Sequence, residues 1–265
     1  MSLDQASIRM TAQDGIATLT IDRAASANAL GPEVVRRMTD TVTGLGDEVS
    51  CLIIRSTGDV FSAGGDLSHL TELNAQGHAD VAERLIQTTF QPLILALRAA
   101  PFPVIARVQG AAVGAGADLV LACDLRVASD QAWLREAWVN LGLMSALGAV
   151  PELLGAVGRG TASDLLMTGR RVNADECARL GLFQRVVPPD QLDAEVDRMA
   201  AAIAKRSRPA IRAIKAALWS IDKDSLLTSL AEARARQAEL ICSAEFGAAV
   251  AALAAQLASK QPGDR

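Results

Sequence analysis

The sequence predicts an α/β fold, with a mainly parallel sheet and its helices over residues 1–200 and a helical C-terminal region over residues 201–265. Three observations predict it. Short β-prone runs alternate with helical patterns through the first half of the chain, the rhythm of βαβ units. From Ser207 onward nearly every residue is a helix former. The 265 residues are 50% hydrophobic and 21% charged, which suffices for a substantial core and excludes a disordered chain.

Taken in order, Gly15 to Asp22 (GIATLTID) alternates apolar and polar residues as a half-buried strand does, and Gly31 to Leu45 follows with helical spacing. Ser50 to Ser56 (SCLIIRS) is a β-branched run bounded by turn residues. Ala79 to Ala99 carries Leu85, Thr89, Leu93 and Leu97 at helical spacing, and a proline pair then stops the helix before the strand Pro103 to Val108 (PVIARV). Beyond about Asp130 the character changes. Asn173 and Glu176 have the spacing of a capping box, and Pro188-Pro189-Asp190 opens a helix to about Lys205. The Ala-rich stretch from Ala248 to Ala258 has few charges on any face, so it packs against something, either a second subunit or the body of its own chain. No internal repeat and no flexible linker interrupts the pattern.

Composition narrows the function. A net charge of −4 leaves no basic excess to neutralise phosphates, which argues against nucleic-acid binding. No run approaches the roughly 18 apolar residues of a membrane span. The N-terminal MSLDQASIRM lacks the basic-then-apolar layout of a secretory signal, so a cytoplasmic protein is expected. Cys51, Cys123, Cys177 and Cys242 are far apart and read as reduced core residues. His69 and His78 have no neighbour at ligand spacing, so no metal site is expected.

Two glycine-rich segments carry the candidate chemistry. Phe61-Ser-Ala-Gly-Gly-Asp66-Leu67 follows one strand, and Gly110-Ala-Ala-Val-Gly-Ala-Gly-Ala-Asp118-Leu119 follows another and opens a helix. Gly and Ala leave backbone N–H groups uncovered, and a helix N-terminus adds unpaired donors. Two such donors aimed at one point stabilise a developing oxyanion. Taken alone, either segment is read first as tight backbone packing or turn geometry. A dinucleotide loop is a poor match, because the third glycine of G-x-G-x-x-G falls at Leu119. There is no G-x-S-x-G, no Walker loop and no H-E-x-x-H.

With their surroundings, these segments resemble a known family. Asn28-Ala-Leu30, FSAGGDL, PVIARVQGAAVGAGADLVLACDLRVAS and TGRRVNADECARLGLFQRVVP, in this order from about Ile16 to Pro189, are similar to the enoyl-CoA hydratase/isomerase (crotonase) family. The resemblance implies a crotonase-like fold of repeated ββα units, with C-terminal helices that support a homotrimer or a dimer of trimers and form part of the acyl-CoA site. It implies an acyl-CoA thioester as substrate, with coenzyme A part of that substrate and no separate cofactor, in chemistry such as fatty acid metabolism uses. Carried over by position, the oxyanion-hole amides are those of Gly65 and Ala115. Ala63, Gly65, Asp66, Leu67 and Gly114 border the thioester, the Ala63–Leu67 loop bonding the adenine end, and Arg23 is either a phosphate partner or a solvated surface residue.

The sequence departs from the family at its acids. Hydratases of the family use two glutamates. The first corresponds to Asp118, a carboxylate shorter by one C–C bond, roughly 1.5 Å. The second corresponds to Trp138 when Ala132 to Gly142 is aligned by its Ala and Leu-Gly. Glu136 lies two positions earlier and reaches the site only with a change of local register. A further acid used by some members falls at Ala146 and is absent. Trp138 either shapes the acyl pocket or belongs to the core. Asp118 is either the acid/base or a cap for backbone donors. Syn hydration needs a proton donor and a water activator on one face, so a poor hydratase is expected. The alternative is a non-catalytic acyl-CoA binder on the same fold.

Overall fold

The computed structural model describes residues 7–259, so part of the N-terminal segment read above lies outside the described residues. A six-stranded sheet runs in the order β1-β2-β3-β4-β6-β9. Its strands are β1 (Ile8–Gln13), β2 (Ile16–Ile21), β3 (Cys51–Ser56), β4 (Val104–Val108), β6 (Leu125–Ser129) and β9 (Arg185–Val187). Only the β1–β2 hairpin is antiparallel; every later pairing in this sheet is parallel. A second sheet, β5-β7-β8, is built from β5 (Ala111–Val113), β7 (Trp133–Arg135) and β8 (Val172–Asn173). The helix α5 (Ala115–Leu121) follows β5, and α6 (Ala149–Thr168) follows β7. Thus β4-β5-α5 and β6-β7-α6 each place one strand in each sheet before a helix, the ββα repeat of the crotonase fold.

Residues 51–54 of β3 are all buried because the large sheet is covered on both faces, as parallel sheets generally are. Leu52 and Ile54 belong to the main core, with Val34 and Met38 of α1 (Pro32–Thr43). Cys51 and Ile53 face the other way, onto Leu192, Val196 and Ala200 of α8 (Leu192–Ala204).

The helical run over 79–99 forms α3 (Ala79–Leu85) and α4 (Gln91–Ala99), joined through a π-turn at Ile86–Phe90. The Asn173 cap is present, its side chain accepting from the Glu176 amide at the start of α7 (Ala174–Arg179). Glu176 does not complete the box; its carboxylate pairs with Arg170 instead. Two C-terminal helices, α9 (Arg208–Ile241) and α10 (Ala244–Ser259), meet at a bend of 67°. The Ala-rich helix α10 packs against α9 and against α2 (Leu67–Gln76), so its own chain covers part of it. No single helix among the described residues is long and apolar enough to cross a membrane. All four cysteines are free thiols; Cys51, Cys123 and Cys177 are buried, and burial pushes each thiol up to about 12.

Candidate active site

The two glycine segments are brought together by backbone pairing. The Ser62 amide donates to Ala111 O, and the Val113 amide donates to Ser62 O, both at 3.0 Å. Ser62 Oγ donates to Asn28 O and accepts from the Gly64 amide. Asn28 is itself fully buried, accepting from the Arg23 amide and donating to Thr57 O and Val60 O. Glycine is required on both sides of this contact. A Cβ on Gly64 (φ +102°) would lie 2.6 Å from Val113 O, and one on Gly116 would lie 2.7 Å from Ser62 Cβ.

The amides of Gly65 and Ala115 have no hydrogen-bond partner among the described residues. Ala115 is the first residue of α5, where the N–H has no intrahelical acceptor and the helix dipole is positive. Both residues line a narrow apolar slot of about 40 Å³, walled by Leu30, Ile86, Phe90, Leu147 and Ile241. Gly65, Leu70 and Trp138 are shared between the slot and a groove of about 450 Å³, bordered by Ala63, Gly64, Leu67 and Gly114 on one side and by Ala249, Ala252 and Leu253 of α10 on the other. Two free amides at an apolar slot are an arrangement that can hold a carbonyl oxygen gaining negative charge.

Trp138 stands over both glycine segments. Parallel pairing of β5 with β7 matches Val113 with Arg135, and the chain then turns through a 3₁₀ segment that carries Trp138 to Gly114. Its indole Nε1 donates to Asp118 Oδ2 at 3.0 Å. Asp118 Oδ1 accepts from Ser145 Oγ at 2.6 Å and from the Ala149 amide at 3.2 Å, which caps the start of α6. Asp118 is 1% exposed and does not line the slot or the groove. Both readings of Trp138 meet in one residue, since it packs on the core and lines the slot. For Asp118 the capping contact is present, and the carboxylate reaches the slot only through the indole. Burial raises its pKa to about 7, against the downward pull of Ser145, Trp138 and Ala149.

Glu136 is buried and lines neither the slot nor the groove. Neither of its carboxyl oxygens has a hydrogen-bond partner among the described residues, and it lines a separate cavity of about 430 Å³ with Trp138 and Ser145. Burial, then the nearby Asp118 charge, holds its pKa well above the usual carboxylate range. Ala146 lines the slot. Asp66 caps α2, accepting from the Ser68 amide, and also lines the slot. Arg23 does not reach either space; its guanidinium donates to Ala29 O at 2.6 Å and braces the turn before Leu30. Lys215 points inward, donating to Leu97 O, Phe102 O and Asp124, so it does not reach toward a ligand.

Sequence reasoning set aside one residue that the fold brings in. His69 lines the slot, and its Nε2 is buried without a partner. It lies three residues beyond Asp66, one turn into α2, and the helix's docking decides which of its faces looks into the slot.

The architecture and the paired glycine segments define a crotonase-fold protein. Residues 11–254 match the family model described as enoyl-CoA hydratase/isomerase, and the chain belongs to that family. It is 35% identical over 208 residues to a crotonyl-CoA hydratase of Syntrophomonas wolfei, covering 77% of this chain and 78% of that one. It is 36% identical over 209 residues to the mouse mitochondrial enoyl-CoA hydratase domain-containing protein 3, covering 78% and 68%. Among solved structures, an enoyl-CoA hydratase from Mycobacterium avium subsp. paratuberculosis superposes with a TM-score of 0.83 at 29% identity, covering 94% of this chain and 99% of that one.

Proposed function

We propose that this protein is an acyl-CoA enzyme that stabilises a thioester enolate between the Gly65 and Ala115 amides. The observation that carries the reading is that these two unpaired amides, one at the start of α5, share an apolar slot opening from a larger groove. The groove takes the coenzyme, and the thioester carbonyl enters the slot with its oxygen toward the amides. Enolate charge then develops where water is scarce and donors are preorganised, so those bonds strengthen in the transition state. The slot's small volume suits the carbonyl and a short, flat acyl group beside Trp138.

In this reading Asp118 is a positioning residue, because three donors occupy it and the indole separates it from the slot. Trp138 in place of a second carboxylate disfavours water addition, so the reaction is proton movement on the thioester, as in an isomerase. Exposed Ile214, Leu218 and Ile221 on α9 support assembly into a homotrimer or dimer of trimers, measurable by light scattering. The second reading, a non-catalytic acyl-CoA binder, is favoured by Asp118, whose carboxylate accepts three hydrogen bonds and lies outside the slot.

Ala115→Pro tests the amide pair. Proline is tolerated at the first position of a helix, so the substitution removes the donor while keeping α5. The expected result is an unchanged circular dichroism spectrum with turnover of acyl-CoA reduced about 100- to 1,000-fold. Turnover at the wild-type rate would exclude the assignment. A wild-type protein that binds butyryl-CoA and crotonyl-CoA without acting on either would favour the binder.

A further inference from the structure

Proton chemistry in the slot needs a group that reaches the slot, and the titratable side chains lining it are Asp66 and His69. Asp66 spends one carboxylate oxygen, Oδ1, on capping α2 through the Ser68 amide. Asp118 and Glu136 lie outside the slot. His69 is differently placed: Nε2 is buried in apolar surroundings and bonded to nothing, while Nδ1 faces Glu72 Oε2 at 3.7 Å one turn further along α2. A buried ring nitrogen without a partner is unfavourable unless a ligand completes it. With the Glu72 carboxylate facing Nδ1, a proton on that nitrogen leaves Nε2, the nitrogen without a partner, as the basic one.

We propose that His69 is a catalytic acid/base that moves the proton on the carbon beside the thioester carbonyl, with Glu72 as its positioning residue. This inference rests on the reading that the slot holds an acyl-CoA thioester. His69 Nε2 takes the proton from the α-carbon, and the electron pair of that C–H bond shifts into the enolate, whose oxygen is held by the Gly65 and Ala115 amides. The imidazolium, facing Glu72, returns the proton to the α-carbon, or to the γ-carbon when the acyl group is unsaturated. No oxidant, metal or second substrate enters the balance.

The test is deuterium incorporation into butyryl-CoA in D₂O, followed by mass spectrometry, alongside calorimetric binding of the same thioester. The wild type is expected to bind and to exchange the α-protons. His69→Gln, which keeps a polar tip of similar reach, is expected to bind equally well and to exchange about 100-fold more slowly or worse. Glu72→Gln is expected to show a smaller loss of exchange with binding unchanged, a split that a purely structural role would not produce. Exchange by His69→Gln at the wild-type rate overturns the proposal, most directly if Asp118→Asn abolishes exchange. A wild type that binds without exchanging overturns it too, leaving the binder reading. A wild type that does not bind butyryl-CoA removes the acyl-CoA reading itself, and this inference with it.

Discussion

Asp118 and Glu136 are two carboxyl groups in one buried cluster, and the protein treats them differently. Asp118 has three donors, Glu136 has none, and the pKa of both is raised above the usual carboxylate range, burial being the largest cause. The unfolded chain releases these protons at roughly pH 4, well before the folded chain does. Stability contributed by the pair is therefore complete at acid pH and is lost as pH rises from about 4 through the folded pKa of Asp118, about 7. Glu136→Met, which fills the space without a carboxyl, should be more stable than wild type at pH 8, by about 1–3 kcal/mol more than at pH 5. Urea unfolding at the two pH values measures this, and a pH-independent difference would contradict the buried, unpartnered carboxyl. The candidacy of Asp118 and Trp138 was legible in the sequence through their alignment with family positions. Their mutual hydrogen bond was not, because residues 118 and 138 meet only through the pairing of β5 with β7. His69 was illegible for a similar reason, since its value lies in which face of a ten-residue helix turns inward.

At the scale of elements, the contact between Phe61–Gly65 and β5 decides whether two amides face one slot. Gly116→Ala tests it, since the added methyl group meets Ser62 Cβ at 2.7 Å and Ser62 O at 2.8 Å, and the Ser62 backbone is tied to Ala111 and Val113. Overpacking of this kind costs about 1–3 kcal/mol. The expected outcome is a lowered Tm together with weakened acyl-CoA binding, whereas a helical glycine of ordinary surroundings would tolerate alanine. Strands β2, β3 and β4 could be read directly, because five or six residues of alternating or mostly apolar character between turns leave little else for the chain to form. Strands β5, β7 and β8 are two or three residues long, too short for any periodicity to register, yet they carry the site. Their pairing is a product of the ββα repeat, which the family resemblance implied and local pattern did not.

Across the whole molecule, the C-terminal helices are anchored into the α/β body by Lys215. Its ammonium is buried, donates at 2.6–2.9 Å to Asp124, Leu97 O and Phe102 O, and is held below the usual lysine pKa by burial. Asp124 also accepts from the Val104 amide at the start of β4. Lys215→Met would leave Asp124 without its ammonium and the Leu97 and Phe102 carbonyls without that donor, and the expected cost is about 3–5 kcal/mol in thermal or chemical unfolding. Residue 200, where composition divides the chain, lies within α8, and Leu226 and Leu230 beyond it belong to the main core. The groove extends the same point along the polymer. One bank is Ala63–Gly65 and the other is Ala249–Gln256, so the two banks are separated by most of the chain's length. A ribosome-bound chain would possess both amides and the slot's floor before the far bank existed. A ligand that touched both banks would bind only the docked state of α10, and at 100 times its Kd would favour that state by about 2.7 kcal/mol.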